Sequence, residues 1–256
     1  MIFWFSATGN SQYAAEKVAA ALNEKMISIG AALRDGHYNF DISEDEYLGF
    51  VIPTYAWTLP YSVASFIDKL KLSGFKNQYV FGLFTCGASS GQAGAALYHA
   101  LKAKELPYNG DFELVMPDNF IVWSNIPGEA KFNKILRSAD IRLKGIIKKL
   151  LDRTDGRIDM SVPKMPYLPP EEMSTSQGAA KLHTSPLCIG CGVCEKVCPE
   201  KCIKLVNGKP VWEGKCSVCL ACLHRCTLSG IEYGTDTMGK KRYTHPGVEL
   251  KLENEY

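Results

Sequence analysis

Along the first 150 residues, short continuous apolar runs alternate with stretches of helical spacing, the pattern of strands and helices in turn. Ile2–Phe5 is the first apolar run and ends at a glycine-containing turn. Ser11–Leu22 follows as a helix, with Ala14, Ala15, Val18, Ala19 and Leu22 on one side. A weaker strand is read at Lys25–Ile29, and a strongly apolar one at Tyr47–Ile52, closed by Pro53. Tyr61–Leu70 reads as a helix and Tyr79–Thr85 as the next strong strand. A Gly/Ser loop, the helix Gln92–Ala103 and the strand Phe112–Met116 complete the alternation. Glu129–Leu151 is a long amphipathic helix, because Phe132, Ile135, Leu136, Ala139, Leu143, Ile146, Ile147 and Leu150 recur at three- and four-residue steps. Its other face carries Lys131, Lys134, Arg137, Arg142, Lys144, Lys148 and Lys149, a solvated face or a docking patch for an acidic partner.

Five strands alternating with helices predict an α/β domain, a doubly wound parallel sheet covered on both faces. In such sheets a ligand sits beyond the carboxyl ends of the strands. Three segments rich in Gly, Pro, Ser, Thr or aromatic residues fall at those ends: Ser6–Ser11, Pro53–Pro60 and Thr85–Gly91. From Asp152 to Pro186 the periodicity fades, and Pro163, Pro166, Pro169 and Pro170 interrupt any helix. The expected organisation is a domain over 1–152, a linker over 153–183 and a second, smaller domain over 184–256.

Composition narrows the classes. The chain has 256 residues, enough for one sizeable domain and a small one, and a formal net charge of +2. So balanced a charge offers neither nucleic acid nor an anionic membrane surface a basic excess to bind. The opening MIFWF is apolar but brief, and no run reaches the roughly 18 apolar residues a membrane span needs, so a soluble cytoplasmic protein without a targeting segment is expected.

Cysteine is the most informative residue type. Nine of the ten cysteines lie between Cys188 and Cys226, and Cys86 stands apart as a small buried residue. Cys188, Cys191, Cys194 and Cys198, followed by Pro199, follow the C-x₂-C-x₂-C-x₃-C-P run, and Cys216, Cys219, Cys222 and Cys226 repeat the spacing after 17 intervening residues. Three thiolates on a tight wrap reach three corners of an iron–sulfur cube while the fourth corner points away, so the last cysteine of each run ligates the other cluster. One [4Fe–4S] cluster is then assigned to Cys188, Cys191, Cys194 and Cys226, the second to Cys216, Cys219, Cys222 and Cys198. Structural zinc sites use paired cysteines too, but as two pairs well apart rather than as two runs at steps of 3, 3 and 4. Between the runs, Ile203–Val206, Asn207-Gly208 and Lys209–Trp212 read as a hairpin on a type I′ turn, and Ile231–Tyr233 follows the second run as a strand. Over residues 184–236 this resembles the α+β two-cluster bacterial ferredoxin module. It departs in having Thr227 where that family often has Pro, and Cys202 where Ala is common; Cys202 reads as a small buried residue beside a cluster. His224, inside the second run, reads as solvent-facing or hydrogen-bonded, since eight ligands are already supplied.

Phe5–Ser11 joins the first strand to the first helix, with hydroxyls on Ser6, Thr8 and Ser11 and the amide of Asn10. Taken alone it suits an anion at a helix start, or equally an ordinary start capped by Ser11. The spacing of Ser6, Thr8, Gly9 and Ser11 resembles the FMN phosphate loop of flavodoxins. Pro53, Thr54, Tyr55, Ala56 and Trp57 are similar to that family's second flavin loop, where an aromatic ring covers the flavin, although Tyr55 and Trp57 also read as core or surface aromatics. Thr85, Cys86, Gly87 and Gly91 are similar to the third, whose backbone lines the flavin edge; Asn119, Phe120 and Trp123 follow the last strand towards the same crevice. Gly87, Gly91 and Gly94 form no G-x-G-x-x-G pattern and no G-K-[ST] follows, so neither a dinucleotide nor a nucleoside triphosphate is indicated.

Together the halves resemble flavodoxin–ferredoxin fusion proteins of anaerobic bacteria. That resemblance implies FMN, two [4Fe–4S] clusters, redox partner proteins as donor and acceptor, and electron transfer as the activity. The alternative is an FMN-dependent reductase of a small organic oxidant, for which Tyr55, Cys86 and His99 are the acid or base candidates.

Overall fold

The computed structural model describes residues 1–154 and 176–250; the four linker prolines and the start of the Ser174–Ala180 segment lie outside the described residues. The first module runs β1 (Ile2–Trp4), α1 (Asn10–Leu22), β2 (Met26–Ser28), α2 (Ile29–Asp35), β3 (Asn39–Asp41), β4 (Leu48–Pro53), α3 (Tyr61–Lys69), β5 (Lys71–Ser73), β6 (Val80–Cys86), α4 (Ala93–Lys102), β7 (Gly110–Val115) and α5 (Glu129–Leu151). Its main sheet is parallel throughout and ordered β2-β1-β4-β6-β7. Counted within that sheet the order is 2-1-3-4-5, the doubly wound flavodoxin-like arrangement.

Successive strand residues point to opposite faces, and both faces are covered. Phe3, Phe50, Ile52, Val80 and Phe84 pack with Ala32, Val63, Phe66 and Leu97 on one side. Ile2, Val51, Phe81, Leu83 and Phe112 pack with Ala14, Val18, Leu143 and Ile146 on the other. The long amphipathic helix keeps the span that its periodicity predicts, with Ala139, Leu143, Ile146 and Leu150 buried.

Three elements of this module lie outside the sequence reading. The seven-residue α2 is capped by Ser28, whose Oγ accepts the Ala31 N–H at 3.2 Å. β3 and β5 form a separate parallel pair, each only three residues long and too short to show alternation.

The second module comprises α6 (Ser176–Ala180), β8 (Leu182–Thr184), α7 (Val193–Val197), β9 (Ile203–Val206), β10 (Lys209–Trp212), α8 (Ala221–His224) and β11 (Ile231–Tyr233). β9 and β10 form the expected hairpin, turning at Asn207 (φ 50°) and Gly208 (φ 73°). β8 pairs antiparallel with β11, and Ala179 and Leu182 join the module's core, so residues 176–183, expected as the end of the linker, pack with this module. The two modules share packing. Ile121 is buried in the second core, with Phe120, Val122 and Ile126 against it, all from the segment that follows β7. Among the described residues no helix is long and apolar enough to cross a membrane.

Candidate functional site

The three loops expected to meet do gather at the carboxyl edge of the sheet. In the first, α1 begins at Asn10 with Gly9 (φ 100°) as its N-cap and no side-chain cap. Ser11 is therefore not the cap; its Oγ lies 2.7 Å from Thr85 Oγ1 and ties the first loop to the third. Ser6 Oγ accepts the Gly9 N–H at 2.9 Å, and Thr8 Oγ1 accepts from Asn119 Nδ2. Both hydroxyls keep a proton to donate. Asn10 donates to the Pro117 carbonyl and accepts from the Tyr243 hydroxyl. An uncapped first turn and two hydroxyl protons are the donor set a phosphate takes, while His245 and Val248 lie over Gly9 and Thr8 is buried.

In the second loop, Tyr55 and Thr58 exchange N–H···O=C bonds of 3.1 and 3.0 Å around Ala56 (φ 43°) and Trp57 (φ 64°). This is a hairpin turn of type I′ geometry, normally Asn-Gly, held here by two residues for which positive φ is strained. The Gln92 N–H bonds to the Trp57 carbonyl at 2.7 Å, and a Cβ on Gly91 would stand 2.5 Å from Trp57 Cβ, so the second and third loops are locked together where only glycine fits. Trp57 remains 41% exposed and available to a planar ligand.

Tyr55 departs from expectation. It meets Phe5 edge-on at 6.4 Å and packs against the sheet core rather than offering a ring face to a crevice. Burial, then Cys219 and Glu200, pushes its phenol well above the ordinary value. Among the described residues the buried hydroxyls of Thr54, Tyr55 and Thr58 have no hydrogen-bond partner. In the third loop, Ser90 donates from N and Oγ to Glu113, at 2.6 and 2.7 Å, and Gly87 lies against Asp118. The Cys86 thiol is pushed up to about 12 by burial, then by Glu113.

The cysteines segregate into two groups. Cys188, Cys191, Cys194 and Cys226 line one pocket, with Cys191 exposed at its mouth. Cys194 is pushed up to about 11, by burial and then by neighbours including Cys191 and Cys188. Cys219 is raised by burial and then by Cys216, Cys222 and Cys198, which places Cys198 with the second run. Cys222 is influenced by Cys216, Cys198 and, more weakly, Cys194, so the groups are neighbours. Cys202 is buried 3.5 Å from the Cys198 sulfur, and sharing a proton between the two lowers the Cys198 thiol and raises that of Cys202. The Trp212 indole, which makes no regular hydrogen bond, stands close enough to favour a Cys222 thiolate. Among the described residues no three His, Cys, Asp or Glu side chains converge as on a single metal ion. A cubane instead takes its thiolates at separate corners, and each four-cysteine group fits that donor set.

The three loops and the cysteine groups adjoin. Ala7 packs with Val197 and Ala221, with Cys219 against them. Glu200 accepts from Ser62 Oγ and from Ser217 N, each at 3.0 Å, joining α3 to the segment before Cys219. His224 is buried; its Nδ1 accepts the Tyr243 N–H at 3.1 Å, so Nε2 carries the proton given to the Asn119 carbonyl at 2.8 Å. Burial holds it near 4 and hence neutral. Residues 243–249 also strap the first loop, with His245 N donating to the Thr8 carbonyl and Gln12 to that of Glu249. Asn119 was foreshadowed by its place after the last strand; Glu200, Tyr243 and His245 carry no motif. Of the acid or base candidates, Tyr55 and Cys86 are held protonated, and His99 is exposed on α4, edge-on to Tyr98.

No family model matches the chain, and no curated protein matches it. Among solved structures it is similar to the Trp repressor binding protein of Bacillus subtilis, at 15% identity over 61% of this chain and 100% of that one, TM-score 0.37. An NADH:FMN oxidoreductase in its apo form matches at 14% identity over 66% and 97%, TM-score 0.35. Rubredoxin oxygen:oxidoreductase of Desulfovibrio gigas matches at 14% identity over 58% of this chain and 36% of its own length, TM-score 0.33.

Proposed function

We propose that this protein is an electron carrier that joins FMN to two [4Fe–4S] clusters and exchanges electrons with redox partner proteins. The observation that carries the reading is the crossed grouping of the cysteines, with Cys226 beside the first run and Cys198 beside the second. A bound flavin supplies both one- and two-electron chemistry, and each cluster passes single electrons. This chain's residues bind, orient and seal. Ser6, Thr8 and the first turn of α1 receive the phosphate, and Trp57 and the backbone of Thr85–Gly91 border the ring. Tyr55, Ala7 and Val197 fill the space between the flavin loops and Cys219, excluding water from the path. Cys202 lies against the Cys198 sulfur, and with Cys198 held as a ligand thiolate its S–H is left to donate, which favours the more reduced, more negative state of the group it touches. The linear order is flavin loops, second cysteine group, first cysteine group, then the surface at Cys191.

The full chain purified without oxygen is expected to carry eight irons, eight acid-labile sulfides and one FMN. Zinc in place of iron, or no flavin, overturns the reading.

A further inference from the structure

Thr8, Asn10, Asn119, His224 and Tyr243 close a hydrogen-bonded ring that runs from the first loop into the second cysteine run and back. The Tyr243 hydroxyl donates to Asn10 Oδ1 at 2.5 Å, and the Tyr243 N–H donates to His224 Nδ1 at 3.1 Å. His224 Nε2 donates to the Asn119 carbonyl at 2.8 Å, and Asn119 Nδ2 donates to Thr8 Oγ1. Thr8, Gly9 and Asn10 are consecutive, so the backbone of the first loop closes the ring. His224 stands between Cys222 and Cys226, and Thr8, Asn10, His224 and Tyr243 are all buried. Water has little access to these bonds, so losing one partner strands a buried polar atom.

The ring fixes what the loop offers a ligand. Both ends of the Asn10 amide are taken, by Tyr243 and by the Pro117 carbonyl at 3.1 Å, so its side chain is a strut and its backbone N–H is the free donor. Asn119 donates to Thr8 Oγ1, which turns the Thr8 hydroxyl proton away from Asn119. The His245 N–H holds the Thr8 carbonyl at 2.8 Å. Across a trans peptide the N–H points opposite to the carbonyl, so this bond keeps the Gly9 N–H on the side of Ser6 Oγ, 2.9 Å away. His245 and Val248 fill the space that a Gly9 side chain would take, and so bear directly on the turn. Donors set in place before the ligand arrives spare it the cost of ordering them.

We propose that Asn119, His224 and Tyr243 are positioning residues for the flavin phosphate, through which the fold of the second cysteine run sets the affinity of the first loop. The inference rests on the reading of that loop as the FMN phosphate site. It makes flavin binding and the docking of residues 243–249 a coupled pair. Coupling is reciprocal: whatever the docked second module adds to FMN affinity, bound FMN returns to the docking. Riboflavin, which has no phosphate, lies outside the coupling.

The test is titration of FMN and of riboflavin into the full chain, freed of flavin with its clusters intact, alongside Tyr243→Phe, Asn119→Ala and Tyr13→Phe. Tyr243→Phe keeps the ring that meets Phe132 edge-on at 5.8 Å and removes only the hydroxyl. It should weaken FMN about tenfold and riboflavin less than about twofold. Asn119→Ala should act in the same direction. Tyr13→Phe is the control, because Tyr13 stacks on His245 at 4.3 Å and donates to Asp140 outside the ring; its FMN-to-riboflavin ratio should stay that of the parent. In amide exchange, FMN but not riboflavin should slow residues 243–249 of the parent, and neither should slow them in Tyr243→Phe. Unchanged FMN affinity in Tyr243→Phe and Asn119→Ala, equal losses for the two flavins, or an equal loss in Tyr13→Phe overturns the proposal. So does loss of a cluster EPR signal in Tyr243→Phe, because the ring would then support the cluster rather than the loop. A parent chain that binds no FMN overturns the flavin reading and this inference with it; a parent that binds FMN while the variants are unaffected overturns this inference alone.

Discussion

Replacing Glu200 by Ala should loosen the docking of the two modules without unfolding either. Its carboxylate accepts two bonds of 3.0 Å, from the Ser62 hydroxyl on α3 and from the Ser217 N–H beside the second cysteine group. Hydrogen bonds to a charged partner contribute about 1.5–3 kcal/mol each. Ser217 belongs to the same module as Glu200, so only the Ser62 bond crosses between modules, and since Glu200 is partly buried the lower end applies, about 1.5 kcal/mol of docking. At about 1.4 kcal/mol per tenfold, opening of the contact becomes roughly tenfold more frequent. Amide hydrogen exchange reads this directly: residues 59–66 should exchange about tenfold faster, and 214–220, which lose the second bond as well, at least as much faster, while β6, buried along its whole length, keeps its protection. Glu200→Gln retains an acceptor and should show a smaller increase. Unchanged exchange in both segments, or equal acceleration everywhere including β6, would refute a local role for this carboxylate.

Changing Cys198 to Ala should damage the cluster signal that Cys216→Ala also damages, and spare the one lost in Cys188→Ala, read by EPR of the reduced proteins; the opposite pairing excludes crossed ligation. Asp111 predicts a pH dependence, since burial, then Glu113, pushes its carboxyl up to about 6 from 3.8. Because the folded chain holds this proton more tightly than the unfolded one, its contribution is full below about pH 4 and lost as pH rises through 6, by up to roughly 3 kcal/mol at 1.36 kcal/mol per unit. Urea unfolding of Asp111→Asn should show a flatter fall in stability between about pH 4 and 7 than the parent chain; identical slopes would contradict the assignment.

Much of this architecture is legible from pattern alone, for identifiable reasons. Glu129–Leu151 runs for more than six turns, so its apolar period outweighs any local ambiguity. The hairpin at Asn207-Gly208 is readable because positive φ at both positions admits few other dipeptides. What escapes is decided by tertiary contact. Ile29–Asp35 hides behind Gly30 and its brevity, although Ser28 and Gly36 bracket it as caps. Ser11 resembles an N-cap, yet Thr85 is near enough to take its hydroxyl. Tyr55 sits in an aromatic-bearing loop but turns into the core, while Trp57, two residues on, stays outside through a strained turn that no propensity anticipates. Glu200 becomes meaningful only once the second module stands over the first.

Electron transfer within one chain is the claim on which the account turns. The first loop and the second cysteine group adjoin through Ala7, Val197, Ala221 and Cys219, and Glu200 bonds to Ser62 across the contact. The most direct measurement is photoreduction of the flavin in the full chain under anaerobic conditions, followed at flavin and cluster wavelengths over a wide range of protein concentration. The account predicts a transfer rate independent of concentration, slowed in Glu200→Ala. A rate rising in proportion to concentration would mean that electrons pass between molecules, and would contradict it.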